Sequence, residues 1–390
     1  MNDIVAIFSN SIGILYIGFS FLVALLCLVN AHSINKSGNR WLGIFMCCIF
    51  LYTLPEMLII AGMKEYTILI GVLDFTAFIF APAFYFTVSY FINPDRSWKI
   101  KDYFHLFLLA LLYLLVLTYA IIYLDALQGE RVPAVLLMSH IFTVLYCIQI
   151  FYYCTLSWIK LRKHQKNIRL FNSTIENVDL KWLQYMVVCV LITACFFIIH
   201  SLNNLSYYYL NIIRLSYLIS FFFIAYFFIR QKEIYPFTAD QKNEIINTII
   251  KETSKIQPPK KLIEDNRMEE LKTALLRIME NEKPFLDCEL TLAKLGNIMD
   301  ISLHQLSYLI NTGFNENFYQ FINRYRIEEA KKLILDENTN YLSFQEIAFE
   351  VGFNSKSAFN VTFKKSIGQT PSEYKAINLH KELLNKRRNI

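Results

Sequence analysis

Seven apolar stretches, each near or above the roughly 20 residues an α-helix needs to cross a bilayer, constrain this chain more than any other feature. They run over about 8–29, 42–61, 67–92, 104–124, 134–158, 183–203 and 209–229. In lipid every backbone polar group must find its partner within the protein, and a helix does this by itself. The expected fold class is therefore all-α, opening with a seven-helix transmembrane bundle over residues 1–230. Composition agrees: 55% of residues are hydrophobic and 18% are charged, fewer charges than a soluble protein usually carries. The opening "MNDIVAIFSNSIG" has no basic region and no small-residue cleavage site. The first stretch is thus expected to be a retained span and not a removed signal peptide.

Basic residues orient the bundle. Lys36 and Arg40 follow the first span. Arg96, Lys99 and Lys101 follow the third. Lys160, Arg162, Lys163, Lys166, Arg169 and Lys181 surround the fifth-to-sixth connection. The opposite set holds Lys64 and Arg131. An asymmetry of 11 to 2 puts the amino terminus outside and the carboxyl terminus in the cytoplasm of a bacterial inner membrane. Only 14 of the 38 Lys and Arg lie in residues 1–229, so the remaining chain reads as an ordinary charged domain.

Five ionisable residues interrupt the apolar stretches. With the orientation above, Glu56, Asp74, His140, His200 and Arg214 all fall in the outer half. A charge in hydrocarbon costs several kcal/mol unless it is paired or wetted. Two readings satisfy them: a shared polar pocket facing an external signal, with Arg214 paired to Asp74 or Glu56, or interfacial groups that snorkel and pin helices. After the last span, residues 231–262 form a connector. "DQKNEIINTIIKETSKIQPP" carries Ile245, Ile246, Ile249 and Ile250 on one helical face, and Pro258 and Pro259 end it. Such a helix suits pairing with a second copy, transmission of movement, or simple spacing.

The charged domain contains an internal repeat. Thr291, Leu292, Leu295, Gly296, Met299, Asp300 and Ile301 match Ser343, Phe344, Ile347, Ala348, Val351, Gly352 and Phe353 at a constant offset of 52. Thr291 and Ser343 are expected N-caps, the latter with Glu346 in a capping box. Gly296 and Ala348 are small where two helices press together. Asp300 and Gly352 sit in turns that need positive φ. A second helix follows each turn. In "SLHQLSYLIN" the expected buried residues are Leu306 and Leu309 or Ile310, leaving His304, Gln305, Ser307, Tyr308 and Asn311 more exposed. In "SKSAFNVTFKK" Phe359 and Phe363 are expected inside, and Ser355, Lys356, Ser357, Asn360, Val361 and Lys364 outside. Amides and hydroxyls suit base edges, lysines suit phosphates, and an aliphatic group suits a thymine methyl. Double-stranded DNA is the partner these residue types fit.

Between the copies, "NFYQFINRYRIEEAKKLIL" places Phe318, Phe321, Ile322, Tyr325, Ala330, Leu333 and Ile334 at helical period. Its basic residues, Arg324, Arg326, Lys331 and Lys332, are read as solvated or as touching the DNA backbone. After the second copy, "GQTPSEY" sets Thr370, Pro371 and Glu373 as N-cap, N1 and N3 of a closing helix.

At these residues the chain resembles the DNA-binding domain of AraC/XylS-family transcriptional regulators. The motifs are "NFYQFINRYRIEEAKKLI", "IAFEVGFNSKSAFN" and "FKKSIGQTPSEY", in order and at family spacing, over about 263–377. The resemblance implies a seven-helix domain whose two helix-turn-helix units enter successive major grooves. One departure stands out. Many members have Arg at the place of Val361, so a strong base or phosphate contact is expected to be absent here. Seven spans followed by this domain, with "IRQKEIYPF" at the membrane exit, also resemble membrane-bound AraC-type regulators of Bacteroidetes. The layout implies a one-component regulator with the lipid bilayer, a small-molecule or envelope signal, RNA polymerase and a second copy of the chain as further candidate partners. Residues 378–390 read as a basic tail.

Other function classes find less support. The chain has no H-E-x-x-H, no phosphate-cradling Gly loop and no triad pattern, so no enzyme, metal or cofactor is expected. Its eight cysteines include no C-x-x-C pair and lie mostly in apolar runs, where they serve as small filler. The alternative is a membrane transporter or receptor whose helix-turn-helix domain is an accessory interaction module.

Overall fold

The computed structural model describes residues 2–29, 35–60, 73, 76–105, 107, 111, 114, 132–176, 178–203, 207–230 and 263–388. Among these the secondary structure is helical apart from an isolated bridge between Asn172 and Thr291. The chain divides into two units. One comprises residues 1–164 and 180–234, the other residues 165–179 and 235–390.

The first unit holds α1 (Asn2–Val29), α2 (Lys36–Ile60), α3 (Ala77–Ile92), most of α4 (Val132–Ile168), α5 (Lys181–Asn203) and α6 (Tyr207–Arg230). α1 packs against α2 and α6, α2 against α3, and α5 against α6. Aromatic rings fill much of the interface: Tyr16 stacks on Phe221 with centroids 5.7 Å apart, and Phe45 meets Phe80 at 4.6 Å. Gly43 lets α1 come close, because a Cβ there would lie 2.6 Å from Leu28.

Among the described residues, three helices are long and apolar enough to cross a membrane, Ser11–Val29, His140–Ile168 and Asn211–Arg230; Ala77–Ile92 and Lys181–Phe196 are shorter apolar helices. Within the described residues, length and composition thus single out three helices, where the sequence of the whole chain suggests seven. The second expected span coincides with α2. The start of the third and most of the fourth lie outside the described residues.

The second unit contains α7 (Asp265–Asn281), α8 (Leu292–Met299), α9 (Leu303–Phe314), α10 (Phe318–Leu335), α11 (Phe344–Glu350), α12 (Lys356–Ile367) and α13 (Pro371–Arg388). These are the seven helices expected here. The closing helix runs on to Arg388, so residues 378–388 of the expected basic tail are helical and continue α13. Two cores share α10. Its first half, through Phe318, Phe321 and Ile322, joins Leu275, Leu292, Leu295, Leu306 and Leu309. Its second half, through Ile327, Ala330 and Ile334, joins Ile347, Val351, Phe359 and Phe363. The connector at 231–262, with its expected helix and its two prolines, lies outside the described residues.

Sequence order assigns residues 165–179 to the apolar part, yet they pack within the second unit. Phe171 is 2% exposed in the first of the two cores. Burial of a Phe side chain contributes about 1.5–3 kcal/mol to holding the segment there.

Candidate nucleic-acid interface

Each half of the second unit builds the same turn from different residues. Thr291 accepts a hydrogen bond from Lys294 N at 3.2 Å, and Ser343 accepts from Glu346 N at 3.2 Å while Ser343 N donates to Glu346 Oε2 at 2.7 Å. The expected caps and capping box are therefore present. Across the turn, Ile301 N donates to Gly296 O at 3.0 Å, and Phe353 N donates to Ala348 O at 2.8 Å. These two bonds stand 52 residues apart, as the repeat requires. Asp300 adopts φ 53° and Gly352 φ 90°. The turn positions are fixed by contact as well as by φ. A Cβ on Gly296 would sit 3.1 Å from Ile301 O, and one on Gly352 would sit 2.5 Å from Phe285 O.

α12 presents its face as the sequence suggests. Phe359 and Phe363 are fully buried, Lys356, Ser357 and Lys364 are exposed, and Asn360 is half-buried. Val361 is 67% exposed, so an aliphatic group stands where a hydrophobic core would not need one. Ser355 is the N-cap and accepts from Ala358 N at 3.1 Å.

α9 differs from expectation at two positions. Ser307 is buried, not exposed. It lies on the stripe of Leu303, Leu306 and Ile310, and Asn311 Nδ2 donates to its hydroxyl at 3.3 Å. Gln305 is occupied locally: its Oε1 accepts from Ser302 N at 3.1 Å, closing a capping box. His304, Tyr308 and Asn311 are half-buried. Tyr308 packs against the core.

Three of the four basic residues of α10 reach solvent, Arg324 and Lys332 exposed and Lys331 half-buried, each with a carboxylate partner. Arg324 pairs with Glu316 at 3.0 Å, Lys331 with Glu328 at 2.8 Å and Lys332 with Glu329 at 2.9 Å. Arg326 is 0% exposed. Its Nε donates to Phe285 O at 2.7 Å, and Nη2 donates to Asp287 O at 2.8 Å and to Ser173 Oγ at 3.0 Å. Burial pulls its pKa down to about 10, so it remains charged at neutral pH. Periodicity alone leaves this role hidden, because the partners are backbone carbonyls distant in sequence.

Of the five polar residues expected in the outer half of the bundle, Arg214 and His140 are described with their side chains. Arg214 is buried, and its Nη1 donates to Asn211 Oδ1 at 3.0 Å; His140 is exposed. Glu56 and His200 lie on α2 and α5, but their side chains, like Asp74 altogether, fall outside the described residues. The pairing of Arg214 with Asp74 or Glu56 falls there too.

Residues 295–377 match the helix-turn-helix domain family. The chain is 38% identical over 72 residues to an uncharacterized HTH-type transcriptional regulator encoded in the cgkA 5′ region of Pseudoalteromonas carrageenovora. That match covers 18% of this chain and spans 40% of the length of that relative. Among solved structures, the C-terminal domain of AraT, a response regulator from Geobacillus stearothermophilus, is 29% identical over 27% of this chain and 84% of its own, with a TM-score of 0.25. The C-terminal domain of the two-component response regulator yesN from Fusobacterium nucleatum is 31% identical over 28% of this chain and 99% of its own, with a TM-score of 0.24.

Proposed function

We propose that this chain, whose C-terminal part is an AraC-type helix-turn-helix domain, is a membrane-anchored one-component transcription regulator. The observation that carries the reading is the doubled helix-turn-helix. Two turns with the same caps and the same closing hydrogen bond lie 52 residues apart on either side of an 18-residue helix. Such a helix is roughly 27 Å long, a length suited to setting two reading helices near the ~34 Å of one DNA turn. On α12, Lys356, Ser357, Asn360, Val361 and Lys364 supply the phosphate and base-edge contacts; on α9, the half-buried Tyr308 and Asn311 are the candidates, while the ring nitrogens of His304 are enclosed.

The apolar unit is read as the anchor and sensor in a bacterial inner membrane, with seven spans and the amino terminus outside. Two features support that topology. The basic residues lie overwhelmingly on one side. In addition, residues 165–179 pack within the C-terminal unit, which fits a fifth-to-sixth connection and a DNA-binding domain on the same side of the membrane, as does the charge asymmetry. The buried Arg214 is the described residue on which an external signal is most readily read.

Selecting bound sites from random duplex DNA with the full chain in detergent tests the proposal. Enrichment of two half-sites about one helical turn, roughly 10 bp, apart is expected, with binding that weakens steeply with salt. Recovery of no enriched sequence would overturn it.

A further inference from the structure

Residues 169–176 make a dense set of contacts in the second unit. Leu292 N donates to Phe171 O at 2.8 Å, Ser173 N donates to Leu290 O at 3.3 Å, and Tyr319 N donates to Arg169 O at 3.1 Å. Ser173 Oγ donates to Leu290 O at 2.6 Å, and Thr174 Oγ1 donates to Cys288 O at 2.8 Å. Asn323 Nδ2 donates to Ser173 O at 3.1 Å, and Arg326 reaches the same carbonyl and the Thr174 hydroxyl at 3.3 Å each. With Phe171 in the core, this segment is a docked strap with a defined register.

The strap ends on the second reading helix. Ser355 Oγ donates to Glu176 Oε1 at 2.8 Å, and Ser355 is the N-cap of α12. The first turn of a helix carries free N–H groups and the positive end of the dipole, so an anion is favoured there. A DNA phosphate seeks that same place. Glu176 stands two residues beyond Thr174, so the anchors hold its carboxylate where it is. The strap is also continuous in sequence with the apolar helices α4 and α5, so a displacement of either pulls on it.

We propose that residues 169–176 are an autoinhibitory strap: docked, they keep the Glu176 carboxylate on the N-terminus of α12 in competition with a DNA phosphate, and a signal in the apolar helices relieves it by drawing the strap away. This inference rests on the DNA-binding reading above. It assigns the route of control to the fifth-to-sixth connection, in addition to the connector that follows the last span.

The test is a salt titration of binding to a fluorescent duplex of mixed sequence, using the full chain in detergent. Wild type, Glu176→Gln and Glu270→Gln are compared. Gln keeps an oxygen to accept from Ser355, so the variant removes charge without removing the strap; Glu270 is an exposed residue of α7 and controls for net charge. Glu176→Gln is expected to bind roughly two- to fivefold tighter at low salt, with the gain shrinking as salt rises, while Glu270→Gln matches wild type. The strap inference falls if wild type binds and Glu176→Gln is no tighter, or if Glu270→Gln gains as much. If none of the three binds duplex DNA, the DNA-binding reading falls first and takes the inference with it.

Discussion

Arg326 is a buried cation held by carbonyls and hydroxyls from two segments, residues 285–287 and 173–174. Its guanidinium donates to Phe285 O and Asp287 O ahead of α8 and to Ser173 on the strap. A buried acceptor that loses its donor costs about 1–3 kcal/mol. Arg326→Met is therefore expected to destabilise the second unit by at least about 3 kcal/mol, read as loss of hydrogen-exchange protection along α10; unchanged protection would show that the carbonyls find other donors. The two turn residues make a paired prediction. Asp300 bears the left-handed conformation at a steric cost that Gly avoids, so Asp300→Gly should stabilise by roughly 0.5 kcal/mol. Gly352 has the reverse problem: its added Cβ would strike the Phe285 carbonyl, and Gly352→Ala should cost more than about 2 kcal/mol. Thermal melts of the two variants should move in opposite directions. That contrast was legible in the repeat, because the residue types at the turn differ while the backbone demand does not. The depth of Arg326 was not legible.

At the level of the helix, the caps decide as much as the core. The Glu346 carboxyl is held below its ordinary range by the backbone N–H of Ser343, and Glu373 likewise by that of Thr370. A depressed folded pKa means the stabilisation is present above the unfolded value, about 4.3, and is lost as pH falls through the folded value. Fraying of α11 and α13 in acid should therefore begin below about pH 4, and Glu346→Gln should remove the α11 part of that dependence, measured by amide exchange against pH. The reading helices separate two kinds of effect. Gln305 closes the cap of α9, so Gln305→Ala should weaken binding to all sequences alike through the roughly 1 kcal/mol a cap contributes. Asn360 faces outward on α12 without a capping duty, and Asn360→Ala should relax sequence preference at one half-site by roughly 1–3 kcal/mol. Competition binding against a panel of single-base variants distinguishes the two; an identical profile for both would remove Asn360 from base reading.

Over the whole molecule, the division into units does not follow chain order. A fragment beginning at 255 omits the strap, leaving the place of Phe171 open and Arg326 short of two partners. Such a fragment should melt below the corresponding unit of the full chain. A peptide spanning 165–179 should raise its melting temperature in proportion to occupancy; no shift at saturating peptide would mean that the strap adds nothing to stability. Topology is tested independently. Reporter fusions at Lys64 and Lys163 should report opposite sides, Lys64 outside, and the same side for both would end the seven-span reading. A sensor in the outer half of the bundle predicts that Arg214→Ala, in protein that inserts and accumulates normally, abolishes or locks the response of a reporter gene. A wild-type response would make Arg214 structural.

Local patterns carried a large part of this protein by themselves. Apolar length marked the helices of the first unit, and the 52-residue repeat marked both turns, their caps and the buried phenylalanines of α12. These features depend on neighbours within a few residues, so periodicity and residue type are enough to expose them. Ser307, Arg326 and the strap are of another kind. Ser307 is polar yet sits on the apolar stripe of α9, Arg326 satisfies itself on carbonyls about 40 and 150 residues away, and residues 165–179 leave their sequence neighbours to join a distant core. Only the tertiary structure decided these, because each is settled by free energy gained from groups that the chain brings together on folding, and no short stretch of sequence contains both sides of the contact.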